Sequence, residues 1–229
     1  MRLLRVALIV SCQAPVDSPL HEPRIIAAIA QTAVNQGAVS VRIDTPAHVQ
    51  AVRQQVTVPI IGLWKRQRSG FEVYITAQFD DAAAIAAAGA DIIAIDATLR
   101  QRPRGETVES LIAQIHQDLG KPVMADVDTL AAALAAAAAG ADIIGTTLYG
   151  YTTATRHLTP PGFELLSQLS QMAELQVPLI CEGGIASPQM AQQAIALGAD
   201  AVVVGTAITG IDAQVAAYGA AVRNASLTL

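Results

Sequence analysis

The sequence predicts a single (β/α)8 TIM barrel over residues 1–229, and three observations carry that prediction. A Gly-Ala pair followed by a β-rich run recurs at Gly37-Ala38, Gly89-Ala90, Gly140-Ala141 and Gly198-Ala199, spaced 52, 51 and 58 residues apart. Proline opens three further runs between them, at Pro59-Ile60-Ile61, Pro122-Val123-Met124 and Pro178-Leu179-Ile180. With an opening run over 5–11, these make eight short Val- and Ile-rich segments, the composition of strands buried on both faces.

The intervening segments read as helices. Residues 80–88 and 130–139 are alanine-rich, and alanine has the best helix propensity. Ser187-Pro188 ahead of 189–197 combines an N-cap with proline at the first helical position. A glycine closes each such helix before its strand, as a left-handed C-terminal cap requires. Strands alternating strictly with helices demand a parallel sheet with right-handed crossovers. Eight units in this length close it into a barrel.

In such a barrel the chemistry collects where strands end. The expected strand ends are Ser11-Cys12-Gln13, Arg42, Lys65-Arg66, Asp96-Ala97-Thr98, Asp126, Thr146-Thr147, Glu182-Gly183-Gly184 and Gly205-Thr206. Eight apolar runs that end in polar or charged residues predict a polar pocket, an enzyme-like face. Gly183, Gly184, Gly205 and Thr206 follow strands seven and eight, where barrels bind phosphate through backbone N–H groups. Lys65 and Glu182 are the candidate acid–base groups. A lysine beside Arg66 in a partly dry pocket has its pKa pulled toward neutrality, and a glutamate across the ring handles a second proton. The plainer alternatives are an anion-binding point charge for Lys65 and a salt-bridge partner for Glu182.

No metal is expected. His21, His48, His116 and His157 are scattered, and none ends a strand beside a carboxylate. His48 and His116 fall in helical stretches as surface or packing residues, whereas His21 and His157 fall in loops on the functional face. Cys12 and Cys181 lack a histidine partner, so a thiol nucleophile is not expected, and Cys181 should face the helices. Two cysteines make no disulfide framework, which places the chain in a reducing cytoplasm. Residues 1–14 carry Arg2 and Arg5 ahead of a short apolar run, too short for a secretory signal. A net charge of −5 and only 3% aromatic residues argue against nucleic-acid binding. Although 52% of residues are hydrophobic, no stretch reaches the ~20 apolar residues of a membrane span.

Several motifs belong together in order: Leu8-Ile9-Val10-Ser11-Cys12-Gln13, Val58-Pro59-Ile60-Ile61-Gly62 with Lys65-Arg66, and Ala90-Asp91-Ile92-Ile93-Ala94 with Asp96. They continue through Ile143-Ile144-Gly145-Thr146-Thr147-Leu148, Gly150-Tyr151-Thr152, Glu182-Gly183 and Val203-Val204-Gly205-Thr206-Ala207-Ile208-Thr209. From about residue 5 to 220 the chain closely resembles the N-acylglucosamine-6-phosphate 2-epimerases, also called N-acetylmannosamine-6-phosphate 2-epimerases. The resemblance implies a cofactor-independent isomerase that interconverts N-acetylmannosamine 6-phosphate and N-acetylglucosamine 6-phosphate in sialic acid breakdown. It implies Lys65 and Glu182 as catalytic residues and Gln13, Arg42 and Asp126 as substrate contacts, while Thr147 at the end of strand six is a further candidate contact. The expected partner is an amino-sugar phosphate, with no nucleic acid or membrane, and a homodimer is left open.

Two departures predict altered substrate affinity with the chemistry retained. The family's arginine after Ala-Ile-Thr is here Gly210, and its Thr-Asp-Arg-Pro-Arg-Pro loop is here Thr98-Leu99-Arg100-Gln101-Arg102-Pro103-Arg104. Two rival readings stand beside the epimerase: a Schiff-base sugar-phosphate aldolase or lyase, and a non-catalytic sugar-phosphate-binding barrel.

Overall fold

The structure, a computed structural model, describes residues 6–173 and 175–225. The start of the first expected run, residue 5, and the basic residues Arg2 and Arg5 lie outside the described residues. Eight parallel strands close into a barrel in chain order. They are β1 (Ala7–Cys12), β2 (Ser40–Asp44), β3 (Ile60–Leu63), β4 (Ile92–Asp96), β5 (Val123–Asp126), β6 (Ile143–Gly145), β7 (Leu179–Glu182) and β8 (Ala201–Val204). The helices that follow them are α1 (Pro23–Asn35), α2 (Pro46–Arg53), α3 (Phe79–Ala87), α4 (Val108–Gln114), α5 (Leu130–Ala138), α6 (Phe163–Ser170) and α7 (Pro188–Ala196). After β8 come a single turn, α8 (Thr206–Thr209), and the last helix, α9 (Ile211–Ala225).

The Gly-Ala repeat has a physical meaning. Gly37, Gly89, Gly140 and Gly198 all hold φ between 94° and 106°, which glycine alone adopts freely, and so turn the chain from helix into strand. In three of the four repeats the next residue but one is aspartate. Asp91, Asp142 and Asp200 accept the first N–H of the preceding strand, from Ile60, Val123 and Leu179, at 2.8–2.9 Å. Each repeat thereby ties the base of one strand to its neighbour. At the opposite end of α7 the expected cap is present, Ser187 accepting from Met190 N–H, and Thr129 caps α5 in the same way by accepting from Ala132 N–H.

Alternation along the strands divides the core in two. Val10, Cys12, Val41, Ile43, Ile144, Cys181 and Val202 pack outward against the helices. Ile9, Ile61, Ala94, Met124, Ile143, Ile180 and Val203 fill the barrel. Cys181 therefore faces the helices, as its place beside Glu182 requires. The same period of two turns Arg42, Asp126 and Glu182 inward, each two residues past or beside an interior position. Crowding is tight where outer layers meet: a Cβ on Gly62 would stand 2.5 Å from Ile85 Cγ2.

Candidate active site

At the carboxyl ends of the strands lies a cleft of about 880 Å³. Its floor is an ionic cluster built by three strands. From β2, Arg42 forks onto Asp126 of β5, with Nη1–Oδ1 at 3.2 Å and Nη2–Oδ2 at 2.5 Å. Its Nε reaches Glu182 Oε1 of β7 at 3.1 Å. The hydroxyl of Thr147 stands 2.7 Å from Asp126 Oδ1 and 3.2 Å from Glu182 Oε2. With one hydrogen it serves only one carboxylate at a time. Arg42 and Asp126 are essentially fully buried, so two anions and one cation share a site that water barely reaches.

Lys65 stands on the wall above this cluster. Its Nζ donates to Gln13 Oε1 at 2.5 Å, and Gln13 Nε2 in turn donates to Ser11 Oγ at 2.8 Å. The lysine fronts the open cleft, yet the surrounding protein strips enough water to lower its pKa, and Arg42 lowers it further. Asp44, Glu182 and Asp126 oppose that shift. Burial pushes the Glu182 carboxyl up to about 7, with Asp126 adding to the rise and Arg42, Lys65 and Thr147 restraining it. Acid and base are displaced toward each other, the condition for proton transfer near neutrality.

The far end of the cleft is made of backbone. Gly184, Thr206 and Ala207 border it, and among the described residues their N–H groups have no protein acceptor. Gly183 and Gly184 hold φ of 96° and 73°, and a Cβ on Gly184 would meet Pro160 Cβ at 2.5 Å. Both conformation and packing demand glycine there. A Cβ at Gly210 would stand 2.8 Å from Thr206 Cα, so the turn joining α8 to α9 leaves no room for a side chain. Among the described residues, the Lys and Arg side chains bordering the cleft are then Lys65 and Arg42 alone, and Asp212 borders it as well.

Gln13, Arg42, Lys65, Thr147, Glu182, Gly183, Gly184, Gly205 and Thr206 thus share one cleft. Asp126 lies behind Arg42 and does not border it. Arg66 is not the lysine's partner: its guanidinium stacks on Trp64 at 4.5 Å and pairs with Asp81 at 3.0 Å, and Arg42 takes that role. The departing loop does not reach the cleft either. Arg100 pairs with Asp96 at 2.8 Å, Arg104 with Asp80 at 2.9 Å, and Arg102 is buried against Ala77 O.

Of the histidines, His21 borders the cleft and packs edge-on against the buried His48, with ring centroids 4.5 Å apart. His116 binds Asp142, and His157 is exposed away from the site. Among the described residues no group of three or more His, Cys, Asp or Glu gathers as metal ligands would. The sequence reading gave no role to Asp44, Tyr74 or Tyr151, although Gly150-Tyr151-Thr152 stands among its motifs. Asp44 was within reach, two residues after Arg42 on the same strand, whereas the tyrosines sit on loops with no periodic signal.

A family model described as "Putative N-acetylmannosamine-6-phosphate epimerase" matches residues 26–224. A protein of Thermosynechococcus vestitus named "Putative N-acetylmannosamine-6-phosphate 2-epimerase" is 63% identical over 220 residues, 96% of this chain and 95% of that one. One of the same name from Escherichia coli O9:H4 is 45% identical over 220 residues, 96% and 93% of the two chains. The solved N-acetylmannosamine-6-phosphate 2-epimerase of Clostridium perfringens superposes with a TM-score of 0.90 at 35% identity, covering 96% of this chain and 95% of that one. A thiamine phosphate pyrophosphorylase from Pyrococcus furiosus, at 18% identity and a TM-score of 0.59, shares the fold alone; the match covers 91% of this chain and 89% of that one.

Proposed function

This chain belongs to the N-acetylmannosamine-6-phosphate epimerase family, and from that premise we propose how its cleft works. The protein is an isomerase that interconverts N-acetylmannosamine 6-phosphate and N-acetylglucosamine 6-phosphate by inverting C2. The C2 proton is poorly acidic until C1 is an aldehyde, so the sugar reacts in its open form. Lys65 Nζ takes the proton from C2, and the electron pair left behind moves into C1–C2 as the C1 oxygen gains negative charge. Arg42 lies at the cleft floor to balance that charge. Glu182 carries the second proton, at ring oxygen or at C2, and the returning proton on the opposite face restores the aldehyde. Atoms and charge balance with no cofactor.

The observation that carries this reading is the convergence of Lys65 and Glu182 in one cleft with pKa values displaced toward each other. Gln13 holds the lysine and faces the sugar. Asp126 acts through Arg42 and Thr147. The unpaired N–H groups of the glycine loops hold the phosphate, and Gly183, Gly184, Gly205 and Thr206 shape that end. Without an arginine at 210, phosphate binding rests on backbone dipoles.

The pH profile tests the assignment of Glu182. kcat/KM is expected to break near pH 7, where the Glu182 carboxyl titrates. Thr147→Val removes a hydrogen bond that favours the carboxylate, so the break moves to higher pH. A break that stays in place would remove Glu182 from the assignment.

The whole chain is taken as one domain acting in the cytoplasm, within amino-sugar and sialic acid breakdown. Its two thiols suit a reducing compartment; both are buried, and Cys12 is pushed up to about 12 and Cys181 to about 11. No helix among the described residues is long and apolar enough to cross a membrane. Self-association into a homodimer is part of the proposal. Ile208, Ile211, Val215, Tyr218 and Val222 form an apolar stripe along α8 and α9, each more than half exposed. The same five residues line a groove of about 760 Å³. An apolar stripe of this length on a lone chain marks an interaction face. Sedimentation should therefore find a dimer that Tyr218→Glu converts to monomer, and a monomeric wild-type protein would contradict it.

A further inference from the structure

We propose that Asp44 is the positioning residue of Lys65, gripping the lysine's backbone from the neighbouring strand and setting the charge its side chain feels. The inference rests on the reading of Lys65 as the base. Asp44 ends β2 opposite Leu63 of β3, so its side chain meets the chain just where it leaves that strand. Its Oδ1 accepts the Lys65 backbone N–H at 2.9 Å. That bond continues the ladder after the regular pairing has stopped, and it fixes the point from which the lysine side chain projects.

The segment behind Asp44 is held in a costly conformation. Thr45 adopts φ 70° and ψ 145°, a region that a β-branched residue rarely occupies. Three contacts keep it there. Its N–H donates to Leu63 O at 2.9 Å, its Oγ1 accepts from His48 N–H at 3.3 Å, and Asp44 O lies 3.1 Å from His48 Nδ1. Pro46 then starts α2. Strain retained next to a catalytic lysine, and over-determined by its surroundings, is what a positioning device looks like.

The charges around the lysine single out Asp44. Those that face it are Arg42 and Asp44 from β2, Asp126 from β5 and Glu182 from β7. Tyr74 and His21 border the same cleft, and His48 lies behind Asp44. Arg42 already engages both Asp126 and Glu182. Among the described residues Asp44 makes no such ion pair, and the Lys65 ammonium rests on Gln13 instead. Asp44 therefore acts on Lys65 as a negative charge outside any ion pair among the described residues, and it favours the protonated amine. It also supports the lysine's pKa against the water-stripping walls of the cleft.

The chain's composition makes the test direct, because Lys65 and Lys121 are its two lysines. In full-length protein labelled with ¹³Cε-lysine, two NMR signals can be titrated with pH, and Lys121 is the internal reference. Asp44→Asn keeps an oxygen for the Lys65 N–H but removes the negative charge. The Lys65 titration should then fall by about one pH unit while Lys121 stays put. The limb of the kcat–pH profile that reports the free amine should move to lower pH with it, while KM moves less than about threefold. A folded Asp44→Asn protein with an unshifted Lys65 signal would overturn the proposal.

Should that variant not fold, Asp44→Glu keeps the charge and lengthens the arm. It should leave the Lys65 titration near its wild-type place while still lowering kcat, and a wild-type kcat there would also overturn the proposal. Lys65→Met separates the two levels. If it retained turnover, the reading of the base and the role of Asp44 would fall together. If it is inactive, the titration alone decides Asp44.

Discussion

Lys65→Met is expected to lower turnover by at least about 10²-fold, the low end of what a positioned acid–base group contributes. The methionine keeps much of the side chain's length but has no basic nitrogen. Gln13 loses its 2.5 Å partner and turns to water in the open cleft, so the fold has little reason to change. Substrate affinity should move only a few-fold, because the floor cluster and the backbone donors near Gly184 and Thr206 are untouched. Steady-state kinetics separates the two effects. A variant with kcat intact and KM raised would make Lys65 an anion clamp and not the base.

Asp126→Ala should give the largest loss of stability. The carboxylate is fully buried and receives both terminal nitrogens of Arg42, with the Thr147 hydroxyl, which it shares with Glu182, within reach. Removing it leaves a buried guanidinium short of a partner, a change that typically costs about 3–5 kcal/mol. For a chain of this length that lowers Tm on the order of 10 °C. The chemistry should shift as well. Asp126 raises the Glu182 pKa and Arg42 lowers it, so deleting Asp126 moves the Glu182 titration below about 7. Calorimetry and the pH profile of whatever activity survives check the two parts separately. A variant within 1 kcal/mol of wild type, a mark set by the ~3–5 kcal/mol scale, would mean that the floor cluster contributes little to holding the strands together.

Much of this site is legible in the amino-acid sequence, for reasons that differ between residues. Glu182 and Arg42 can be placed because a buried parallel strand has few reasons to carry a charge, and a period of two sends that charge inward. The repeat at Gly37, Gly89, Gly140 and Gly198 reveals the fold through the cost of non-glycine residues at positive φ. What stays hidden depends on side-chain direction across elements. The lysine's neighbouring arginine in sequence, Arg66, turns to Asp81, while the cation that matters to it comes from β2.

Gly210 can be read as a missing arginine, but not as a position where the turn before α9 admits no Cβ. Likewise the arginines at 100, 102 and 104 suggest a substrate loop, whereas they serve the scaffold around Asp96, Ala77 and Asp80. Strand and helix segments and their caps are local, and the sequence carries them. Ion pairs among residues dozens of positions apart are settled only by the closed barrel.

The central claim is that C2 is deprotonated by a protein group that exchanges with solvent. The most direct measurement is proton NMR of N-acetylmannosamine 6-phosphate converted in D₂O. A Lys65 amine that has taken the C2 proton exchanges it with water before or during its return, so the N-acetylglucosamine 6-phosphate formed should carry deuterium at C2. Recovered substrate should begin to lose its C2 proton signal as well, and Lys65→Met should suppress both. Product that keeps its original hydrogen at C2 in full would contradict the account.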